Sequence, residues 1–171
     1  FFKINDLPET VKKDLNKYTG NFSLSLNEYH RVSEADRMGA WSEKERLSIE
    51  AATKNLDSAL ANSKTVVPLT VYRGINLEPD ELGKLQKGDV FLDQAFVSTS
   101  RKRSLAENFA RHGVVVEIKV PAGSSALNAR PFSPAHQDEE EVLLPRNRRF
   151  RINDLVAVGN KHVLKLEMIN A

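Results

Sequence analysis

Three short stretches of this sequence hold residue types that do chemistry once a fold brings them together. Tyr72-Arg73-Gly74 closes a β-branched run. Its arginine is a rigid fork of donors suited to phosphate, and its glycine lets a ligand approach the backbone closely. In Phe96-Val97-Ser98-Thr99-Ser100, strand alternation puts Ser98 and Ser100 on one face, anchored by Phe96, where small hydroxyls can orient a carboxylate. The third stretch, Asp138-Glu139-Glu140-Glu141, runs straight into Val142-Leu143-Leu144-Pro145. In an extended chain Glu139 and Glu141 point to one face about 7 Å apart, while Glu140 points away. Carboxylates so placed repel, which holds one of them partly protonated and suits acid–base work or stabilisation of a carbocation-like centre. Taken singly, each stretch also has a plain structural reading: a surface arginine, a strand-to-helix cap, a solvated acidic run.

The elements that must position these residues divide the chain near its middle. Residues 1–65 read as mainly helical. Ser42-Glu43-Lys44-Glu45 is a capping box, and Ile49, Ala52, Leu56 and Ala59 follow at helical spacing. Shorter helices are expected over Glu9–Lys17 and Leu26–Val32. Residues 66–171 read as mainly β. A strand from Val66 to Tyr72 ends at Arg73-Gly74, a short helix opens at Pro79, and a second strand surrounds Phe96–Thr99. A helix over Ser104–Arg111 leads to the strongest strand, Val114–Val120. Three more are expected at Glu141–Leu144, Phe150–Ala157 and Val163–Met168. The stretch from Pro121 to Asp138, with three prolines, reads as a functional loop. The basic run Arg146, Arg148, Arg149, Arg151 reads as a strand edge whose charges deter edge-to-edge pairing, with steering of an acidic partner as the other reading.

Composition narrows the field. The chain has 171 residues, suited to a single domain, and no cysteine, which excludes disulfide scaffolds, thiolate metal sites and cysteine nucleophiles. Twenty-five Lys and Arg against 23 Asp and Glu leave a net charge of +2, unlike a protein built to neutralise nucleic acid. No apolar stretch approaches a membrane span, and none of the four histidines shows metal-ligand spacing. The N-terminal Phe1 is the start expected of a processed chain or of a domain cut from a longer protein.

Together, in this order and at these separations, the arginine, the Ser-Thr-Ser and the Glu-x-Glu-Val-Leu-Leu-Pro resemble the arginine–serine–glutamate class of mono-ADP-ribosyltransferases, in its arginine-directed branch of bacterial toxins and phage enzymes. Tyr18-Thr19-Gly20 followed by Asn27 is similar to that family's N-terminal segment, so the resemblance covers nearly the whole chain. It implies an α+β fold, a helical N-terminal part packed on two roughly perpendicular, mixed or antiparallel sheets with a central NAD cleft.

By that resemblance, Arg73 holds the NAD phosphates and Gly74 offers backbone groups to the nicotinamide carboxamide. Ser98 orients Glu141, and Glu141 stabilises the oxocarbenium-like transition state as nicotinamide departs. Glu139 selects arginine as acceptor, Tyr18 and Asn27 serve the dinucleotide, Phe109 and Arg111 cover its nicotinamide and phosphates, and Phe132 lies in the acceptor-recognition loop. The implied substrate is NAD, with no metal. The implied partner is a protein presenting an arginine, with no nucleic acid required, no membrane, and a monomeric catalytic domain. The implied setting is secretion or injection by a bacterium or phage, with action in the target-cell cytoplasm. Two rival readings are an NAD glycohydrolase on the same fold, with water as acceptor, and a non-catalytic binding module.

Overall fold

The helices form where the sequence supplies caps and one-sided apolar stripes. In the computed structural model, which describes residues 2–3, 9–18, 22–110, 113–129 and 140–169, the longest helix is α4. To number in chain order, β1 is Phe2–Lys3, α1 Glu9–Lys17, α2 Ser23–Arg31, α3 Glu34–Ala40 and α4 Glu43–Ala61. At the head of α4 the Ser42 hydroxyl accepts from the Glu45 backbone N–H at 3.2 Å and donates to the Glu45 carboxylate at 2.9 Å. The predicted stripe of Ile49, Ala52, Leu56 and Ala59 is buried, together with Thr53 and Leu60. Helix α3 was not legible from periodicity, because none of its residues is buried. Its start is fixed instead by Ser33, whose hydroxyl accepts from Asp36 N–H.

Next come β2 (Lys64–Thr65), β3 (Leu69–Ile75), α5 (Pro79–Gly83), β4 (Val90–Asp93), β5 (Val97–Ser100) and α6 (Arg103–Phe109). Strands β6 (Val114–Val120), β7 (Leu127–Asn128), β8 (Glu141–Leu144), β9 (Arg148–Val158) and β10 (Lys161–Ile169) complete the described chain. Strand β3 begins after Pro68, with Val66 and Val67 left exposed. It continues past Tyr72, so Arg73 and Gly74 lie inside the strand, paired with Val116 and Val115. The expectation that they end it is corrected. β7 lies within the stretch read as loop. The basic run is no sheet edge either: Arg148, Arg149 and Arg151 sit in β9, between β4 and β10.

Eight strands form one hydrogen-bonded sheet in the order β4-β9-β10-β6-β3-β5-β8-β7, and β1 pairs separately with β2. Two separate crossing sheets were expected; one junction explains the difference. β3 pairs with β6 over its full length, but with β5 only through Tyr72 and Ser100. The sheet thus has a broad part ending at β3 and a narrow part, β5-β8-β7, that meet at a single residue pair.

The core divides in a matching way. Val97, Val142 and Leu144 pack with the broad part, among Val71, Val116, Ile118 and Leu166. Leu143 points to the other side, where it joins Phe96 and Leu127 against Tyr18, Leu26, Leu56 and Leu60 of the helices. Both faces of β8 are therefore covered, which explains its unbroken apolar run. Full burial of each such leucine contributes about 1.5–3 kcal/mol, and this double burial is what fixes the strand that begins at Glu141.

Candidate functional site

Strand register builds the site. Ser100 stands directly opposite Glu141, and Ser98 opposite Leu143. Since Tyr72 pairs with Ser100, the same point of the sheet carries Arg73 in the next position of β3. A cleft of about 240 Å³ opens there, lined by Tyr18, Arg73, Gly74, Ser98, Ser100 and Glu141.

The hydroxyls around Glu141 have distinct tasks. Thr99 donates its hydroxyl proton to the Val142 carbonyl at 2.6 Å, clamping β5 to β8. The Ser100 hydroxyl accepts from the Lys102 N–H at 2.9 Å and turns the chain toward α6. The Arg101 N–H donates to the Glu140 carbonyl, carrying the ladder one step past the strand. Glu140 itself has φ +45°, in the left-handed region that a non-glycine residue rarely adopts. Strict alternation therefore stops at Glu141. Glu141 is buried, with 8 % of its surface exposed.

Ser98, expected to orient Glu141, has Tyr18 as its side-chain partner, hydroxyl to hydroxyl at 3.1 Å. Tyr18 also accepts from the Asn27 amide at 2.8 Å, and the Asn27 oxygen accepts from the Phe96 backbone N–H at 3.1 Å. The Tyr18 ring is buried edge-on against Phe96, centroids 5.9 Å apart. Burial pushes its hydroxyl up to about 12, against the opposing pull of the bond it accepts from Asn27, so it stays protonated at neutral pH.

Arg73 is the charge of the site. Burial, and secondarily the nearby Arg31 charge, lower it from the usual arginine value, while Asp93 opposes that shift. It remains a cation at neutral pH. No hydrogen bond joins its guanidinium to another described residue. Arg73 also forms part of the wall of a second pocket, of about 200 Å³, lined by Phe91, Phe150 and sheet aliphatics and rimmed by Arg31 and Asp93. These last two form an ion pair at 3.2 Å.

The structure thus gathers Tyr18, Arg73, Gly74, Ser98 and Glu141 in one cleft, with Asn27 behind Tyr18. Glu139, Arg111 and Phe132 lie outside the described residues, as do Thr19 and Gly20; Phe109 ends α6, but its side chain is not described. Two residues at the site escaped the sequence reading. Arg31 is one helical turn after Asn27 on α2, and that spacing was the available signal. Asp93 carried none, because it gains its meaning only when β4 folds back beside α2. Among the described residues no group of three His, Asp or Glu could hold a metal ion.

Comparison with known proteins agrees with this geometry. Residues 3–170 match the family model for the ADP-ribosyltransferase exoenzyme. The chain is 27 % identical over 164 residues to Vis of Vibrio splendidus (strain 12B01), named as an NAD(+)–arginine ADP-ribosyltransferase. The match takes in 88 % of this chain and spans 63 % of the length of that relative. In fold the chain is similar to Plx2a, an ADP-ribosyltransferase toxin from Paenibacillus larvae. That match has a TM-score of 0.80 at 22 % identity and covers 96 % of this chain and 88 % of that one. The C3 exoenzyme of Clostridium limosum gives a TM-score of 0.78 at 21 % identity, over 96 % and 87 % of the two chains. With an arginine, a Ser-Thr-Ser strand and a glutamate facing one cleft, and with a family match running almost from end to end, the chain belongs to the ADP-ribosyltransferase exoenzyme family.

Proposed function

We propose that this chain transfers ADP-ribose from NAD to an arginine side chain of a protein, releasing nicotinamide. The observation that carries the reading is Arg73: a half-buried cation with no hydrogen-bonded acceptor among the described residues, standing between two adjoining pockets. A half-buried, partly desolvated arginine without an acceptor suits an anion. The diphosphate of a dinucleotide has that charge, and two pockets of about 240 and 200 Å³ on either side of it suit the two nucleoside halves. The polar cleft takes the nicotinamide ribose and the apolar pocket takes the adenosine.

In this reading Glu141 faces the ribose and stabilises the positive charge that develops on it as the bond to nicotinamide breaks and the electron pair leaves with the ring. A preorganised, buried carboxylate is most effective there, because water is excluded and no reorganisation is needed. A guanidine nitrogen of the acceptor then forms the new bond to the same carbon, and Glu139 takes its proton. The arginine acceptor rests on Glu139 in the sequence and on the relative Vis, which is named as an NAD(+)–arginine ADP-ribosyltransferase and has been crystallised with agmatine. A neighbour from S. aureus, C3stau2, has been crystallised with NAD. As part of the same proposal, the chain is the catalytic domain of a secreted or injected exoenzyme whose target protein presents the arginine.

The test is incubation with labelled NAD and agmatine, a small guanidine acceptor. The expected result is nicotinamide release with label joined to agmatine, and Glu139→Ala should abolish the joining while leaving slow hydrolysis. Nicotinamide release without labelled agmatine or labelled protein would establish the glycohydrolase reading instead, and no turnover of NAD would leave a binding module.

A further inference from the structure

The hydrogen bonds behind the cleft have a direction, and that direction is set by the backbone. The Phe96 N–H can only donate, so the Asn27 atom that meets it at 3.1 Å is the amide oxygen. The Asn27 nitrogen is thereby turned to the Tyr18 hydroxyl, 2.8 Å away, and it too can only donate. Tyr18 accepts there, and between Tyr18 and Ser98 at 3.1 Å, where either hydroxyl can donate, that acceptance favours Tyr18 as the donor. Ser98 accepts in turn, so its proton is free to point into the cleft that it shares with Glu141 and Arg73. One backbone amide thus orients three side chains, drawn from the residue that follows α1, from α2 and from β5.

We propose that Asn27 and Tyr18 are positioning residues for catalysis: they are a polarised relay that holds the Ser98 hydroxyl as a donor toward Glu141 and the substrate ribose. This deepens the transferase reading and rests on it. It differs from the role that the resemblance assigns to the pair, contact with the dinucleotide. Both polar ends of the Asn27 amide are engaged within the protein, and so is the hydroxyl of Tyr18. The relay crosses a gap of 80 residues between Tyr18 and Ser98. It ties the helical part to β5 at the strand that pairs with the one bearing Glu141. With Tyr18 buried and edge-packed on Phe96, the hydroxyl has no freedom to seek another partner.

Tyr18→Phe keeps the ring and removes the oxygen. Asn27→Asp keeps the shape and the bond from Phe96 but replaces the donor facing Tyr18 by an acceptor, which reverses the relay and draws the Ser98 proton away from the cleft. Nicotinamide release would be measured as a function of NAD concentration for wild type, Tyr18→Phe, Asn27→Asp, Ser98→Ala and the Tyr18→Phe/Ser98→Ala double variant, each checked for folding by circular dichroism. The expected result is a fall in kcat of about tenfold for each single variant with KM for NAD unchanged. The double variant should be no slower than Ser98→Ala alone, because a relay that ends at Ser98 has nothing to deliver without it. A raised KM with unchanged kcat in Tyr18→Phe would make Tyr18 a dinucleotide contact and overturn the relay. So would a double variant whose loss equals the product of the single losses, or an Asn27→Asp variant of wild-type kcat. An active wild type with any of these outcomes leaves the transferase reading standing; a wild type that releases no nicotinamide overturns that reading and the relay with it.

Discussion

Acidification should loosen this protein through one histidine. His30 of α2 is buried, with 7 % of its surface exposed, its ring packed edge-on against Tyr29 and near Phe96 at centroid distances of 5.3 and 6.3 Å. Its Nε2 lies 2.7 Å from the Thr53 hydroxyl. Thr53 gives its own proton to the Ile49 carbonyl at 2.8 Å, so Nε2–H must be the donor between them. Burial pushes the ring down to about 4, aided by Arg146 and Arg37 and opposed by Asp57 and Glu50. The unfolded chain therefore binds the proton more readily than the folded one. The stability that this neutral ring contributes is complete above the unfolded value of about 6.5 and is lost as pH falls toward 4. Between pH 7 and pH 4.5 the linkage amounts to about 2 kcal/mol, a large share of a typical folding free energy. Urea unfolding followed by circular dichroism at both pH values, for wild type and His30→Gln, isolates the effect from carboxylates that titrate in the same range. His30→Gln should be less stable at pH 7, having lost ring packing, but should lose about 2 kcal/mol less than wild type on acidification. If the gap between the two proteins is the same at both pH values, the burial argument for His30 is wrong.

Other perturbations read different parts of the structure. Glu141→Gln should lower nicotinamide release at least about a hundredfold, measured by chromatography of the released base, with an unchanged circular dichroism spectrum. Arg73→Lys keeps the charge but loses the two-pronged donor, and should raise KM for NAD by about tenfold in the same assay. Gly113→Ala would place a methyl group against the Ile75 carbonyl oxygen and the Asn76 side chain, overlapping both well inside van der Waals contact. Since carbonyl and side chain must shift together, about 1–3 kcal/mol should be lost, visible as a lower Tm in thermal unfolding.

What could be read from the sequence was what local rules encode. The Ser42 cap and the stripe behind it gave α4, and the valine run gave β6, because both depend on neighbours a few residues away. Val90, Phe91 and Leu92 of β4 are all largely exposed, so no alternation marked them. The β-branched run stops at Tyr72, which predicts a strand end at Arg73-Gly74, whereas Gly74 lies paired opposite Val115. The candidate site was legible as a set of residue types, since arginine, serine and glutamate stand in recognisable order. Their wiring was not. That Ser98 meets Tyr18 while Ser100 faces Glu141 follows from strand register and from helix placement, and neither is written in spacing along the chain. The left-handed Glu140 could not be foreseen either, because glutamate has no preference for that conformation.

The single Tyr72–Ser100 pairing also bears on the order in which the molecule comes together. The apolar stripe of the helices, with Leu26, Leu56 and Leu60, is completed by Phe96, Leu127 and Leu143. A chain emerging from its N-terminus must therefore wait until residue 143 before that stripe is covered. Arg73 belongs to the broad part of the sheet and Glu141 to the narrow part, and among the described residues that one pair is the backbone ladder between them. Chemistry then becomes a late product of folding: an intermediate with either part formed alone holds half a cleft, and catalytic power should appear only with the final closure of the sheet.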